Sequence, residues 1–296
     1  MKAARLAIEE LTCSDTISHL PDDLLFRILS LVPVRTAMST SLLSKRWNYV
    51  RKMMPTLVYD ETCPYNGSLG FDQFCGMSLP LHEAPVLKTL DIELGKYSDS
   101  IDTLLFPNIR STLLEIKITL KYYPILYSPI RFPGNLNVFK TLLVLKLTGR
   151  IAVDFVDSPV CFPSLKILHL IRVRFQYNEE SFKRVLSACP VLEDFDLQRH
   201  CSFGHFLYTI SVPSLQRLSI TSECATCGLD DPRFEINAPS LNYLKIHDRV
   251  GCFNFVEDMP KLVEANISVH ESKTGKLMKV LTSLEHLSLS LYPSMV

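Results

Sequence analysis

Residues 163–170 read PSLKILHL, and this short phrase decides the fold. Its second half alternates. Leu168 and Leu170 fall on one side of an extended chain, while Ile167, His169 and then Ile171 fall on the other, the two-residue period of a strand. Leu165, three residues before Leu168, adds a third apolar anchor where the chain enters the strand. Pro163 has no amide to donate, so it suits that first position.

Working outward, the phrase returns along the whole chain. PVLKTLDI begins at 85, STLLEIKI at 111, KTLLVLKL at 140, PVLEDFDL at 190, PSLQRLSI at 213, PSLNYLKI at 239, PKLVEANI at 260 and TSLEHLSL at 282. The steps are 26, 29, 23, 27, 23, 26, 21 and 22 residues. All copies carry Leu at the third position, Leu, Ile, Phe or Ala at the sixth, and Leu or Ile at the eighth. The seventh is polar every time: Asp91, Lys117, Lys146, His169, Asp196, Ser219, Lys245, Asn266 and Ser288. One such strand cannot bury its apolar row alone, and stacking the copies in parallel makes a continuous core. An x-x-L-x-x-L-x-L phrase at this period is the leucine-rich-repeat signature. The fold class is therefore α/β: an irregular leucine-rich solenoid with a curved parallel sheet over about 60–296, preceded by a small helical unit at about 15–55. Leu168 and Leu218 are expected in the core and His169 and Ser219 outside it. The Asn or Cys that commonly follows the strand is absent: Arg150, Val173, His200, Glu223 and Arg249 stand there, so loose turns and uneven stacking are expected. Residues 178–189, NEESFKRVLSAC, read as a helix with Phe182, Val185, Leu186 and Cys189 on one stripe. GKLMKVLTSLEHL from 275 has a similar layout, while 224–239 reads as an irregular polar loop.

Lys plus Arg equals Asp plus Glu at 31 each, which gives no electrostatic reason for nucleic acid or an anionic membrane as the main partner. No apolar run approaches the roughly 20 residues of a membrane span. Nine scattered cysteines without a secretory signal point to a reducing compartment, hence cytoplasm and/or nucleus, and to free thiols. Cys224-Ala-Thr-Cys227 is the one metal-like spacing, with His200, Cys201 and Cys252 as distant candidates, but no second CxxC completes four ligands. No metal or other cofactor is expected. Neither a G-x-S-x-G nor a P-loop nor a dinucleotide-binding glycine turn is present, so the reading is a binding protein without catalytic residues.

The outward positions mid-solenoid form the candidate substrate surface, centred on units 4 to 6: Lys146, Ile167, His169, Ile171, Asp194, Asp196, Arg217 and Ser219, with Val144, Gln198 and Tyr243 beside them. The mixture of charges and aliphatics suits a protein partner, and Ile167 and Ile171 are expected to be wet unless something covers them. A small-ligand pocket would need a cluster of Arg and aromatic residues, and Tyr243, Lys245 and His247 are too few to argue it.

Near the start, LPDDLLFRILSLVP (20–33) places Leu20, Leu24, Leu25, Ile28, Leu29 and Val32 on one helical stripe. Pro21 and the two Asp mark its beginning and Pro33 its end. A short helix, VRTAMST, follows, then SLLSKRWNYVRKM, in which Leu43, Trp47, Val50 and Met54 are spaced to share a face. So small a unit cannot hide this much apolar surface; either the solenoid or a partner covers the excess.

Residues 16–55 resemble an F-box, with its L-P-x-x-[LIV]-[LIV]-x-x-I-[LF]-S-x-[LV] pattern and downstream Ser44-Lys45-Arg46-Trp47. Residues 71–90, 186–193 and 238–248 resemble the plant F-box/leucine-rich-repeat group associated with FBD domains. The resemblance implies a substrate-recognition subunit of a Skp–cullin–F-box ubiquitin ligase. Its F-box would dock on a Skp-type adaptor, and through it on cullin and RING subunits, while the repeats hold a protein target. Leu20, Pro21, Leu24, Leu25, Ile28, Leu29, Pro33, Leu43 and Trp47 would form the adaptor surface. A scaffold that binds partners without ubiquitination is the alternative. Relatives commonly continue into an FBD domain, which is expected to be missing here because the sequence stops at LSLYPSMV after the ninth phrase.

Overall fold

The structure, a computed structural model, describes residues 17–62, 70–95, 112–121, 130–132, 140–153, 161–175, 179–199, 206–222, 232–277, 281 and 284–293. Among the described residues three α-helices follow a short 3-10 turn at Ile17–His19: α1 (Asp22–Leu29), α2 (Val34–Thr40) and α3 (Lys45–Lys52). The expected long first helix is shorter than its stripe, for Pro21 and Ser30 flank it and Pro33 already caps α2. Ser44 caps α3 by accepting from the Trp47 amide at 3.4 Å, which leaves Leu43 in the preceding turn rather than on the helix. Arg46 clamps the unit. Its Nε and Nη2 donate to Asp22 Oδ1 at 2.9 and 2.6 Å, and Nη2 also donates to the Leu20 carbonyl.

The repeat phrases form one parallel sheet of ten strands: β1 (Thr56–Asp60), β2 (Val86–Leu94), β3 (Thr112–Leu120), β5 (Val144–Thr148), β7 (Ile167–Ile171), β8 (Asp194–Arg199), β10 (Arg217–Ser222), β12 (Tyr243–Asp248), β14 (Glu264–His270) and β15 (His286–Tyr292). They pair in that order and in register, so Leu145, Leu168, Phe195, Leu218 and Leu244 form one row and Leu147, Leu170, Leu197, Ile220 and Ile246 the next. In the first eight phrases the third, sixth and eighth positions are all buried. The seventh positions face out, half-buried from Asp91 to Lys245 and exposed at Asn266 and Ser288. Leu168→Ala should therefore cost roughly 2–5 kcal/mol, and His169→Ala at most about 0.5 kcal/mol, by chemical denaturation.

Two departures stand at the ends. The sheet has a tenth strand, β1, ahead of the expected boundary at 60. Leu57 and Tyr59 pair with Leu90 and Ile92, and buried Met54 takes the third position, so the phrase begins within α3. In the ninth phrase, by contrast, Leu287 and Leu289 are 44% and 39% exposed, as is Leu291 just beyond it at 46%.

The other side of the coil carries more strand than expected. β9 (Leu207–Ser211), β11 (Arg233–Asn237) and β13 (Cys252–Phe255) make a second parallel sheet, and β4 (Ile130–Arg131) pairs with β6 (Ile151–Ala152). Thus 224–239 is not all loop: Phe234 and Ile236 are buried strand residues. Helix α4 (Phe71–Ser78) precedes β2. Helix α5 (Glu179–Ser187) follows β7 with Phe182, Val185 and Leu186 inside, as the stripe predicts. The predicted helix from 275 is a single turn, α6 (Thr274–Leu277), in the described residues.

Where an asparagine ladder is missing, aromatic rings stack instead. Tyr208 lies on Phe234 (4.8 Å, 12° between planes) and Phe234 on Phe253 (4.7 Å, 11°), with Phe182 edge-on to Tyr208 at 5.1 Å. Beside this column Arg199, at the end of β8, reaches across β10 to Asp248 at the end of β12, and both side chains are almost fully buried. These contacts link neighbouring coils, and the strands pair in register; of the positions where loose turns were expected, His200 and Glu223 lie outside the described residues.

Candidate functional site: an adaptor face and an outward sheet face

The nine residues expected to meet an adaptor divide into two groups. Leu25, Leu29 and Trp47 are buried at 0%, 2% and 4% exposure, so they hold the helices together and present no surface. Leu20 and Pro33 are half-buried. Pro21, Leu24, Ile28 and Leu43 are exposed. The stripe on α1 is two neighbouring i,i+4 rows, Leu25/Leu29 turned in and Leu24/Ile28 turned out. Periodicity cannot separate such rows, since both lie within the same broad apolar arc. Leu31 and Leu42, 85% and 89% exposed, join the outward group, although neither lies on a helical stripe. The signal for them was composition alone: two leucines in tight turns with nothing to pack on. Because Arg46 pins the start of α3 to the start of α1, the Leu42-Leu43 turn belongs to the same end of the unit as Leu24.

This helical unit is not a separate bead. Its buried residues and those of the solenoid form one continuous cluster. At the junction the Glu83 amide donates to the Lys52 carbonyl (2.9 Å), Lys52 pairs with Glu83 (2.5 Å), and His82 Nε2 sits 2.8 Å from the Met54 carbonyl. Burial pushes the His82 pKa down, and nearby Arg51 adds to the effect against the opposing hydrogen bond. Buried Tyr59 bonds Ser78 of α4 at 3.0 Å, and burial raises its pKa well above the usual value.

On the outward sheet face, the expected substrate residues line up across strands. Lys146, His169, Asp196 and Ser219 form one row; Ile167, Asp194 and Arg217 form a second; Ile171 stands in a third. Ile167 and Ile171 are half-buried, not wet as expected, because Ile167 packs in register between Val144 and Asp194, and Ile171 between Thr148 and Gln198. Charges on the first strands neutralise one another: Lys117 lies 3.9 Å from Asp91, Lys146 lies 3.3 Å from Glu115, and Lys121 pairs with Glu93. Burial raises the Asp91 pKa, opposed by Lys117. Arg217 lies 3.9 Å from Asp194 and stacks 4.1 Å over the Tyr243 ring.

Along the row where chains enter the strands, Val191, Glu193, Ser214, Gln216, Ser240, Asn242 and Lys261 line an open groove of about 420 Å³. Among the described residues no three His, Cys, Asp or Glu side chains gather as a metal site, and no helix is long and apolar enough to cross a membrane. Cys224, Cys227, His200 and Cys201 lie outside the described residues. Of the described thiols Cys75 and Cys189 are buried, the latter with its pKa pushed up to about 12.

Comparison with known proteins agrees with both halves of this architecture. Residues 17–55 match the F-box domain model, and residues 113–259 match the model of the leucine-rich repeats of FBD-associated F-box protein At5g56370. The chain is 65% identical over its full length to an F-box/FBD/LRR-repeat protein of Arabidopsis thaliana, At5g56810, covering 68% of that protein. It is 53% identical over 97% of its length to the FBD-associated F-box protein At5g56820 of the same plant, covering 65% of it. To the F-box/FBD/LRR-repeat protein At5g56420, also of Arabidopsis thaliana, it is 37% identical over 95% of its length, covering 66%. The chain thus spans about two thirds of the length of these relatives. An F-box fused through a shared core to a leucine-rich solenoid, with relatives of the same build along the whole chain, places this protein in the FBD-associated F-box/leucine-rich-repeat family.

Proposed function

We propose that this chain is the substrate-recognition subunit of a Skp–cullin–F-box E3 ubiquitin ligase. It docks on a Skp-type adaptor through the F-box, reaches cullin and RING subunits through that adaptor, and holds a target protein on the outward sheet face. The observation that carries this reading is the unpartnered apolar surface of the F-box. Leu42 and Leu43 are 89% and 67% exposed in the turn after α2, Leu31 is 85% exposed in the turn before it, and Leu24 and Ile28 are exposed on α1, more bare aliphatic side chains than so small a unit shows unless a partner covers some of them. No bond-making is asked of the chain; ubiquitin transfer belongs to its partners. Its contribution is geometric. The shared core and the Lys52–Glu83 and Met54–His82 contacts hold the docking helices at a fixed place relative to the sheet. A target on the sheet is therefore presented at a defined distance from the adaptor, which is how positioning raises an effective concentration. The complex would work in the cytoplasm and/or nucleus.

The test is titration of a purified Skp-type adaptor with the wild-type chain and with Leu24→Ala/Ile28→Ala and Leu42→Ser/Leu43→Ser variants. Each central anchor lost costs roughly 2 kcal/mol of binding, so each double variant should weaken binding by well over tenfold. Because these side chains are exposed, Tm should stay at the wild-type value. Wild-type affinity in both variants would remove the F-box from adaptor docking. Trp47→Ala is a poor probe, for it would empty the F-box core instead. A chain that captured the adaptor but no cullin would favour the scaffold.

A further inference from the structure

Four outward side chains recur at every second residue along β12 and just past it: Tyr243, Lys245, His247 and Arg249. Tertiary structure gives them flanks that the sequence does not show. Arg217 on β10 lies 4.1 Å over the Tyr243 ring, and Arg249 lies 3.9 Å over the ring of Tyr292 on β15. The Tyr292 hydroxyl accepts from Ser268 at 3.1 Å, and that hydrogen bond, with the one from Arg249, lowers its pKa. Each guanidinium is thereby held against an aromatic face; Arg217 is also balanced by Asp194 at 3.9 Å, whereas Arg249 faces no carboxylate among the described residues. Lys245 and Arg249 have no ion-pair partner among the described residues, in contrast to Lys117, Lys121 and Lys146 further up the same face, each paired with a carboxylate. Glu264, in register with Tyr243, is the one carboxylate that β14 places on this side, and Asp248 points inward to Arg199. The other register partners are Ser219, Thr221, Asn266 and Ser268, which add no negative charge; the next carboxylates along the rows are Asp194, which balances Arg217, and Asp196, one strand beyond Ser219.

We infer that this stripe is where the target is gripped, and that what it grips is an extended acidic segment of a protein. The inference rests on the proposed function for the existence of a target and deepens it by naming the chemistry. Uncompensated cations over a face of hydroxyl and amide donors attract an anion. The period selects the form of that anion. Same-side residues of a strand are about 6.6 Å apart, so Lys245 and Arg249 stand about 13 Å apart with the His247 ring between them, a spacing that same-side residues of an extended peptide laid alongside can match. A segment with Asp, Glu or phosphorylated Ser at every second position meets Lys245, then the His247 ring as a hydrogen-bond donor, then Arg249, and Tyr243 and Tyr292 flank its ends with apolar ring surface.

The experiment is fluorescence anisotropy at low salt with the full chain and a labelled peptide of alternating Glu and Ser, its Gln/Ser analogue and its phosphoserine form. The Glu and phosphoserine peptides should bind, the Gln peptide should not, and binding should fall with added salt. Lys245→Glu/Arg249→Glu should weaken binding about tenfold or more, with the milder Lys245→Gln/Arg249→Gln as a check that the fold survives. Lys88→Glu, an exposed lysine on β2, should leave binding as in wild type. Equal affinity for the Gln peptide, or unchanged binding in both β12 variants, overturns the inference. So does tighter binding of a single-stranded oligonucleotide that displaces the peptide. Adaptor binding is measured on the same samples. If wild type binds peptide but no adaptor, the ligase reading falls and the acidic-segment site stands; if it binds adaptor but no acidic peptide, only the site falls.

Discussion

Asp248→Ala should destabilise the protein by about 3–5 kcal/mol, the usual cost of stripping one partner from a buried ion pair. Asp248 is fully buried and the Arg199 side chain only 3% exposed. One carboxylate oxygen accepts from Arg199, while the other accepts from the amides of Val250 (3.1 Å) and Gly251 (2.9 Å), which shape the turn after β12. Alanine leaves all three donors without an acceptor. The guanidinium has no retreat, because it lies against the stacked pair of Tyr208 and Phe234, 5.6 and 5.4 Å from their centres, and its Nε already lacks a partner. Urea unfolding of wild type, Asp248→Ala, Arg199→Met and the double variant measures the coupling. The double variant should be less unstable than the sum of the singles, since no charge is then stranded. A loss below about 1 kcal/mol for Asp248→Ala would mean the pair contributes no more than a surface one.

Phe234→Ala should cost about 3–5 kcal/mol, as for a large aromatic deleted from a packed core. Phe234 is fully buried in the middle of the ring column, stacked on Tyr208 on one side and Phe253 on the other. Gly251 belongs to the same packing: a Cβ there would come within 3.1 Å of both phenylalanine rings, so any larger residue has to push the column aside by a few tenths of an ångström. Phe234→Leu keeps much of the apolar volume and loses the stacking, so it should fall between wild type and alanine. Because Arg199 lies over the same ring, Phe234→Ala and Asp248→Ala should not be additive. Chemical denaturation of the two singles and the double settles this, and strict additivity would show that the column and the ion pair stabilise the coils independently.

The sequence by itself determined everything that repeats at short range. Alternation with period two told which side of each strand faces in, because a strand's geometry leaves no other choice. The rows from Leu90 to Ile267 lie where the phrase predicts, and the stripe of α5 is local in the same way. The first strand escaped because Met54 and Tyr59 replace the leucines and the phrase starts inside α3. Tertiary structure alone decided what depends on a neighbour. Leu287 and Leu289 carry the same alternation as Leu244 and Ile246 yet are exposed, since burial belongs to whatever packs over a row and not to the row itself. Leu24 and Leu25 are adjacent and chemically identical; only the position of α3, fixed by Arg46 and Asp22, turns one out and the other in. Arg199 and Asp248 are 49 residues apart, and Arg249 and Tyr292 come from different coils. Such contacts are set by how the coils stack, through irregular connectors with no pattern of their own, so they become visible only when the chain is folded.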